Sequence, residues 1–256
     1  MVMAASRDRE AAIEWLRPFQ ERARGFSGWS FDLREHALGP PQPWSYDEHV
    51  RGFTRGVSAM LVIGTGGGER LAVLRDALPA RVVATEEWPV NAPVARARLE
   101  PLGVDVVHAS DEVPPFVTNS FDLVINRHSS FDSAEVVRVL RPGGAFLTQQ
   151  VGRGNWDELI PHFPRLHDGG NQLGVYSDAF RSLGFNVTLH EHRQRVAYPS
   201  LGEFVYMLAV ASWTIPDFDV ERDIEALLDL EQNCLIDEGF VVTEDRYLLT
   251  ARKHAY

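Results

Sequence analysis

The stretch Leu61–Glu69, which reads LVIGTGGGE, decides the fold class of this chain. A short apolar run breaks into a turn that holds four glycines, and a segment with helical spacing follows from residue 69. A strand, a glycine-rich turn and a helix in this order bring the backbone of a parallel α/β sheet close to a nucleotide-like ligand. The stretch therefore predicts a nucleotide-binding turn at the edge of such a sheet.

Strand and helix patterns alternate from residue 59 onward. The strand candidates are continuous apolar runs, as expected for strands buried on both faces. They span 59–63, 81–85, 104–108, 121–126 and 145–150, and the helix candidates between them span 69–77, 91–99 and 133–140. This alternation predicts an α/β, doubly wound, mostly parallel sheet.

The segments on either side of this core predict additional parts. A helical pattern over 7–24 and a loop rich in Gly, Pro and Trp lead to Ser45, which with Glu48 forms a capping-box signature for a helix that runs to about residue 55. After a sixth strand, 185–196, come helical patterns at 201–212 and 220–237 and a final strand at 246–252. We therefore expect an N-terminal cap (1–58), an α/β domain (59–197 and 246–256), and a helical insertion (198–245) that serves as a substrate lid.

Composition excludes several classes of protein. No apolar run approaches the roughly 18 residues that span a bilayer. A single cysteine, Cys234, excludes an internal disulfide and favours a reducing, cytoplasmic location. The net charge of −11 disfavours a nucleic-acid partner, because an acidic surface repels the phosphate backbone.

The glycine turn by itself leaves the nucleotide open. Gly64 and Gly66 fit the dinucleotide pattern Gly-x-Gly-x-x-Gly, but Glu69 stands where the third glycine belongs. Glu86 ends the second strand, where a carboxylate can accept hydrogen bonds from both ribose hydroxyls. A ribose is therefore indicated, which is compatible with either NAD or S-adenosylmethionine (SAM).

Several motifs together favour SAM. The segment 61–69 resembles the first motif of class I SAM-dependent methyltransferases, acidic-x-Gly-x-Gly-x-Gly, and aligns Gly64, Gly66 and Gly68 with its glycines. Residues 104–124 resemble the third and fourth strands of that family, and VLRPGGAFL at 139–147 is similar to the segment that enters its fifth strand. The resemblance implies a Rossmann-like sheet of seven strands with an antiparallel last strand. It also implies SAM as the methyl donor, S-adenosylhomocysteine (SAH) as the product, and no metal.

The same resemblance assigns candidate cofactor contacts. These are Gly64, Thr65, Gly66, Gly68, Glu86, Ser110, Asp111 and Asn126, with Ser110 and Asp111 beside the adenine. The sequence departs from the family at Val62, which stands where the first motif has an acidic residue that helps to anchor the methionine end. We expect another group, for instance from the N-terminal segment, to replace that carboxylate.

The fourth strand ends in NRHSS, at the edge where such sheets bind their ligands. Asn126 is not followed by the Pro-Pro-Tyr that amino-methylating members of the family place there, which disfavours an amide or exocyclic amine acceptor. His128 is a candidate general base, with a loop histidine hydrogen-bonded to backbone as the alternative. Four residues are candidate substrate contacts: Arg127 toward an anionic group, Gln150, Trp44 and Tyr206.

These features predict methyl transfer from SAM to a small molecule by in-line displacement. One alternative is a SAM-binding module without catalysis, and a second is a nucleic-acid methyltransferase. An NAD-dependent oxidoreductase is disfavoured by Glu69. The sequence carries no signal for an oligomeric state.

Overall fold

The computed structural model describes residues 8–31, 33–168, 170 and 172–253. The strands in the described residues are β1 (His36–Leu38), β2 (Ala59–Ile63), β3 (Arg81–Glu86), β4 (Val104–His108), β5 (Phe121–Arg127), β6 (Leu140–Val151), β7 (Phe185–Tyr198), β8 (Leu235–Ile236) and β9 (Gly239–Lys253). The α-helices are α1 (Arg9–Ala23), α2 (Tyr46–Phe53), α3 (Glu69–Val73), α4 (Asn91–Leu99), α5 (Ser133–Val139), α6 (Gln172–Ser182), α7 (Leu201–Val210) and α8 (Ile224–Cys234).

The strands form a mixed sheet in the order β1-β7-β9-β6-β5-β2-β3-β4, with β8 paired to β9. Strands β2 to β6 pair in parallel, while β9 lies antiparallel between β6 and β7. The predicted doubly wound sheet with an antiparallel last strand is confirmed. The described residues add the short strands β1 and β8, which gives nine strands instead of seven.

Both faces of the central strands are buried, as their continuous apolar sequences predict. All five residues of β2 are buried. One face packs against α2, α3 and α4 through side chains such as Val50, Leu71 and Leu99. The other face packs against α5 and α6 through Val136 and Phe180. The carboxyl ends of β2 to β6 therefore meet at one edge between two helical layers.

Helix starts follow their capping residues. The Ser45 hydroxyl accepts a hydrogen bond from the Glu48 backbone N–H at 3.3 Å, which confirms the predicted start of α2. The helix ends at Phe53, two residues before the predicted end. The predicted helix 220–237 is shorter in the structure, Ile224–Cys234, and the predicted first helix begins at Arg9; residue 7 lies outside the described part.

The predicted start of the last strand, Arg246, was wrong. Strand β9 begins at Gly239 and pairs with β7 along the whole of 185–198, whereas its pairing with β6 covers only 246–252. Residues 239–245, GFVVTED, combine a glycine and two acids with an apolar centre, so their sequence favours a turn as much as a strand. Pairing with β7 makes them a strand and extends the two-stranded ribbon beyond the sheet.

A third core lies on this ribbon. It joins α1, α7 and α8 through buried residues that include Leu16, Phe204, Leu227 and Phe240. The N-terminal helix thus packs with the helical insertion predicted between the last two strands. The division into cap, SAM-binding domain and lid stays a proposal, and its residues 1–7 and 254–256 lie outside the described part of the chain. Among the described helices, none is both long and apolar enough to cross a membrane.

Two helical glycines provide a matched test of the packing between α1 and α7. A Cβ at Gly202 would lie 2.6 Å from the Phe19 ring, whereas a Cβ at Gly52 meets no atom within 4 Å. We expect Gly202→Ala to lower the free energy of unfolding by about 1 kcal/mol or more through overpacking. We expect Gly52→Ala to leave the free energy of unfolding unchanged or to raise it by up to about 1 kcal/mol, because alanine is the better helix former.

Urea denaturation of both variants checks this prediction. Equal stabilities of the two variants would contradict the close contact between α1 and α7.

Candidate functional site

The predicted glycine turn connects β2 to α3 in a left-handed conformation. Gly64, Gly66 and Gly68 have φ values of 68°, 62° and 80°, a region that side chains disfavour. A Cβ at Gly68 would lie 2.7 Å from the side chain of Leu99 in α4. Gly68 therefore permits the close approach of α4 to the start of α3.

The Glu86 carboxylate faces this turn from the end of β3. Its Oε2 accepts from the Gly66 backbone N–H at 2.6 Å and its Oε1 from the Trp88 backbone N–H at 2.9 Å. Burial, and secondarily the nearby Asp111 carboxylate, raise the pKa of Glu86 to about 7. Each carboxylate oxygen keeps a further lone pair, so the group retains acceptor capacity for two hydroxyls.

Asp111 lies on the other side of the turn, after β4. Its Oδ1 accepts from the Thr85 hydroxyl at 3.0 Å and its Oδ2 from the Ser129 hydroxyl at 2.6 Å. A Cβ at Gly64 would collide with Ser129 and lie 2.7 Å from Asp111 Oδ2. Burial raises the pKa of Asp111, although both hydrogen bonds oppose that shift. Through its hydrogen bond with Ser129, Asp111 thus holds the loop after β5 over the glycine turn.

The neighbouring Ser110 is exposed, and its hydroxyl accepts from the Glu112 backbone N–H at 3.3 Å. This contact stabilises the turn after β4. The two residues predicted beside the adenine therefore differ, since Asp111 is buried and bonded within the fold while Ser110 faces solvent.

Asn126 and Gln150 form a buried polar link below the same edge. The Asn126 amide donates to the Ile63 carbonyl at 3.2 Å, and its Oδ1 accepts from the Thr148 hydroxyl at 2.8 Å. Gln150 Nε2 donates to Asn126 Oδ1 at 2.5 Å and to the Ser129 carbonyl at 2.8 Å. Both predicted site residues therefore tie β2, β5 and β6 together and hold the loop that carries Ser129.

His128 is held by Gln149, the neighbour of Gln150 that faces the opposite side of β6. The Gln149 Oε1 accepts from the Trp44 indole N–H at 3.0 Å, so its amide donates to His128 Nε2 at 3.2 Å. The imidazole proton therefore resides on Nδ1. Burial, followed by the charge of Arg127, lowers the pKa of His128 well below its ordinary value.

The predicted substrate residue Arg127 lines a cavity of about 300 Å³ beside the glycine turn. Ile125 and Val62 lie on the same side, together with Gly64 and Thr65 of the turn. The Arg127 guanidinium lies over the Tyr46 ring at 5.9 Å. The remaining lining residues include Trp29, Ser30, Glu69, Arg70 and Leu71.

Aromatic residues cover this edge of the sheet. Trp29 of the N-terminal loop packs against Trp88, which follows β3, and against Trp213, which follows α7. Tyr206 of α7 is buried under the Arg22 guanidinium, 3.8 Å from its ring centroid, and meets Phe26 edge-on. Of the predicted substrate residues, Arg127 lines the cavity, whereas Trp44, Gln150 and Tyr206 support the surrounding shell.

The sequence patterns did not single out Ser129, Thr85 or Arg70. Ser129 lies in the NRHSS run, but its contact with Asp111 crosses from β5 to β4 and leaves no local pattern. Thr85 belongs to a strand whose apolar run predicted structure only.

Comparisons with known proteins agree with this architecture. The model of a family described as "Methyltransferase domain" matches residues 61–148. Among curated proteins, no match was found.

Solved structures share the fold at low sequence identity. A proposed methyltransferase from Bacillus halodurans has a TM-score of 0.61 at 19% identity, with 82% of this chain and 99% of that chain covered. The YcgJ protein from Bacillus subtilis has a TM-score of 0.58 at 18% identity, covering 82% and 100%. The [4+2]-cyclase SpnF has a TM-score of 0.54 at 15% identity, covering 97% of both chains.

The matched segment 61–148 runs from the glycine turn to the sixth strand and contains Glu86, Asp111 and Arg127. With the strand order and the antiparallel last strand, this match shows a Rossmann-like sheet of the class I methyltransferase type, with similarity to the methyltransferase domain over residues 61–148.

Proposed function

We propose that this chain transfers the methyl group of SAM to a small-molecule acceptor. The observation that carries the proposal is the cavity of about 300 Å³ that begins at Gly64 and Thr65 and is bounded by Trp29 of the N-terminal loop. A pocket of this size suits a small ligand. The net charge of −11 adds support, because it disfavours a polyanionic acceptor.

The residues at the turn fit SAM. Glu86 has acceptor capacity for the two ribose hydroxyls, and Gly64 and Gly66 present backbone without side chains beside it. Thr65 lines the cavity at the same turn. Asp111 keeps a second lone pair on each carboxylate oxygen for an adenine amino group.

When bound, SAM supplies a methyl group on a sulfonium, a leaving group that is already activated. The protein then contributes chiefly alignment and exclusion of water. Trp29 and Tyr46 line the cavity, and Glu86 fixes the orientation of the ribose. The His128 Nε2 is occupied by the Gln149 amide, so it accepts a proton only after that contact breaks.

Transfer of radiolabel tests the proposal directly. Purified protein is incubated with methyl-labelled SAM and either a small-molecule metabolite extract, total nucleic acid, or denatured protein. We expect label in the small-molecule fraction alone. Label confined to nucleic acid would favour the nucleic-acid alternative, and SAH binding without transfer to any fraction would favour the non-catalytic module.

Glu86 predicts how cofactor binding depends on pH. Because burial raises the pKa of Glu86 to about 7, this carboxyl group ionises in the ligand-free protein only at a higher pH than an ordinary carboxyl group does. Ribose hydroxyls donate to the ionised form, so SAH should bind about tenfold more weakly at pH 6 than at pH 8. Calorimetric titration across this range measures the effect.

Two matched variants test this role. Glu86→Gln should bind SAH more weakly than the wild type at every pH, and its affinity should no longer depend on pH. Glu112→Gln, at an exposed position, should bind SAH with the affinity and pH dependence of the wild type. A Glu86→Gln variant with the wild-type pH profile would contradict the assigned role.

The low pKa of His128 predicts a neutral imidazole. We expect its ring signals in nuclear magnetic resonance spectra to stay those of the neutral Nδ1–H tautomer from about pH 8 down to about pH 5.5, below the ordinary midpoint. A His128→Gln variant assigns the signals. Titration of His128 near pH 6.5 would show that the imidazole is solvated and free of the Gln149 contact.

A further inference from the structure

Arg127 is a mostly buried cation without a counter-ion. Its Nε is shielded from solvent and makes no hydrogen bond, and within the described part of the chain the guanidinium forms no ion pair. Burial, followed by the positive charge of Arg70, lowers the pKa of Arg127 to about 10. An unpaired buried charge is costly, so a fold retains one mainly where a ligand completes it.

The other charges of the cavity do not neutralise Arg127. The Glu69 carboxylate lines the cavity, but it forms an ion pair at 2.7 Å with Arg98, which is not one of the lining residues. Asp47 pairs with Arg70 at 2.9 Å. The cavity therefore holds one guanidinium in excess of its partners.

A second, smaller cavity of about 130 Å³ shares Tyr46, Arg70 and Arg127 with the first. It adds Ser45, the amide side chains of Gln42 and Gln149, and the Asp47 carboxylate, whose Oδ2 pairs with Arg70. Arg127 and Arg70 thus line both cavities from β5 and α3, and the arrangement offers two guanidinium groups around one space. A planar carboxylate matches the paired N–H donors of a guanidinium.

We infer that Arg127, assisted by Arg70, binds a carboxylate group that enters the cavity beside the glycine turn. The inference rests on the proposed function for the identity of the ligands. The carboxylate has two possible sources, the amino-acid end of SAM or the acceptor. In the first case Arg127 compensates for Val62, which lines the same cavity in place of the acidic residue of the family's first motif.

Two nucleosides separate these sources. SAH carries the amino-acid carboxylate, whereas 5′-methylthioadenosine has the same nucleoside without it. Calorimetry measures both dissociation constants for the wild type, for Arg127→Gln and for Arg181→Gln, an exposed control on α6. If the cofactor supplies the carboxylate, Arg127→Gln weakens SAH binding about 10- to 100-fold and leaves 5′-methylthioadenosine unchanged.

Benzoate and its neutral amide, benzamide, test the acceptor as the source. In the presence of saturating SAH, the wild type should then bind benzoate at least about tenfold more tightly than benzamide, and Arg127→Gln should lose that preference. Arg127→Lys should keep part of it, because the charge remains while the paired N–H geometry is lost.

Unchanged binding of both SAH and benzoate in Arg127→Gln would overturn the inference. A lower thermal midpoint of Arg127→Gln with normal ligand binding would also overturn it, since the guanidinium would then serve the packing on Tyr46. Failure of the proposed function is a separate result, because neither SAH nor 5′-methylthioadenosine would bind the wild type. The benzoate comparison without nucleoside still reports on Arg127 in that event.

Discussion

The absence of a side chain at Gly64 is the constraint on which the site depends. With φ at 68°, the chain leaves β2 in a left-handed turn, and the space a Cβ would fill holds Ser129 and Asp111. The short hydrogen bond between these two side chains, 2.6 Å, joins the loops after β4 and β5 across the end of β2. A larger residue at position 64 would separate these loops, so the turn fixes the geometry of the whole ligand-binding edge.

Buried polar side chains keep this edge rigid from below. Asn126 lies between β2 and β6, and Gln150 connects it to the loop that carries Ser129. Hydrogen bonds of this kind stabilise a unique arrangement when every member is satisfied. Asn126 and Gln150, which the sequence assigned to the site, thus hold together the strands whose ends form this edge.

Two costly charges flank the glycine turn in an otherwise acidic chain. Burial raises the pKa of Glu86 on one side, and on the other side Arg127 has no counter-ion among the residues that the structure describes. Each would be stabilised by a ligand that supplies the complementary group, hydroxyls for the acid and an anion for the guanidinium. Trp29 lines the cavity together with Arg127 and packs against Trp213, whose side chain is about half exposed.

The sequence by itself determined the α/β core, the position of the glycine turn and the placement of Glu86, because these follow from local patterns of apolar strands, turns and helix caps. Only the tertiary structure decided that β9 begins at Gly239, since its first half is a strand through pairing with β7. The tertiary structure also decided that Asn126 and Gln150 are buried links, that His128 is bound by Gln149, and that Arg127 forms no ion pair with any other described residue. Each of these depends on side chains from strands distant in sequence, and hydrogen bonding and burial between such strands leave no periodic signal in the chain.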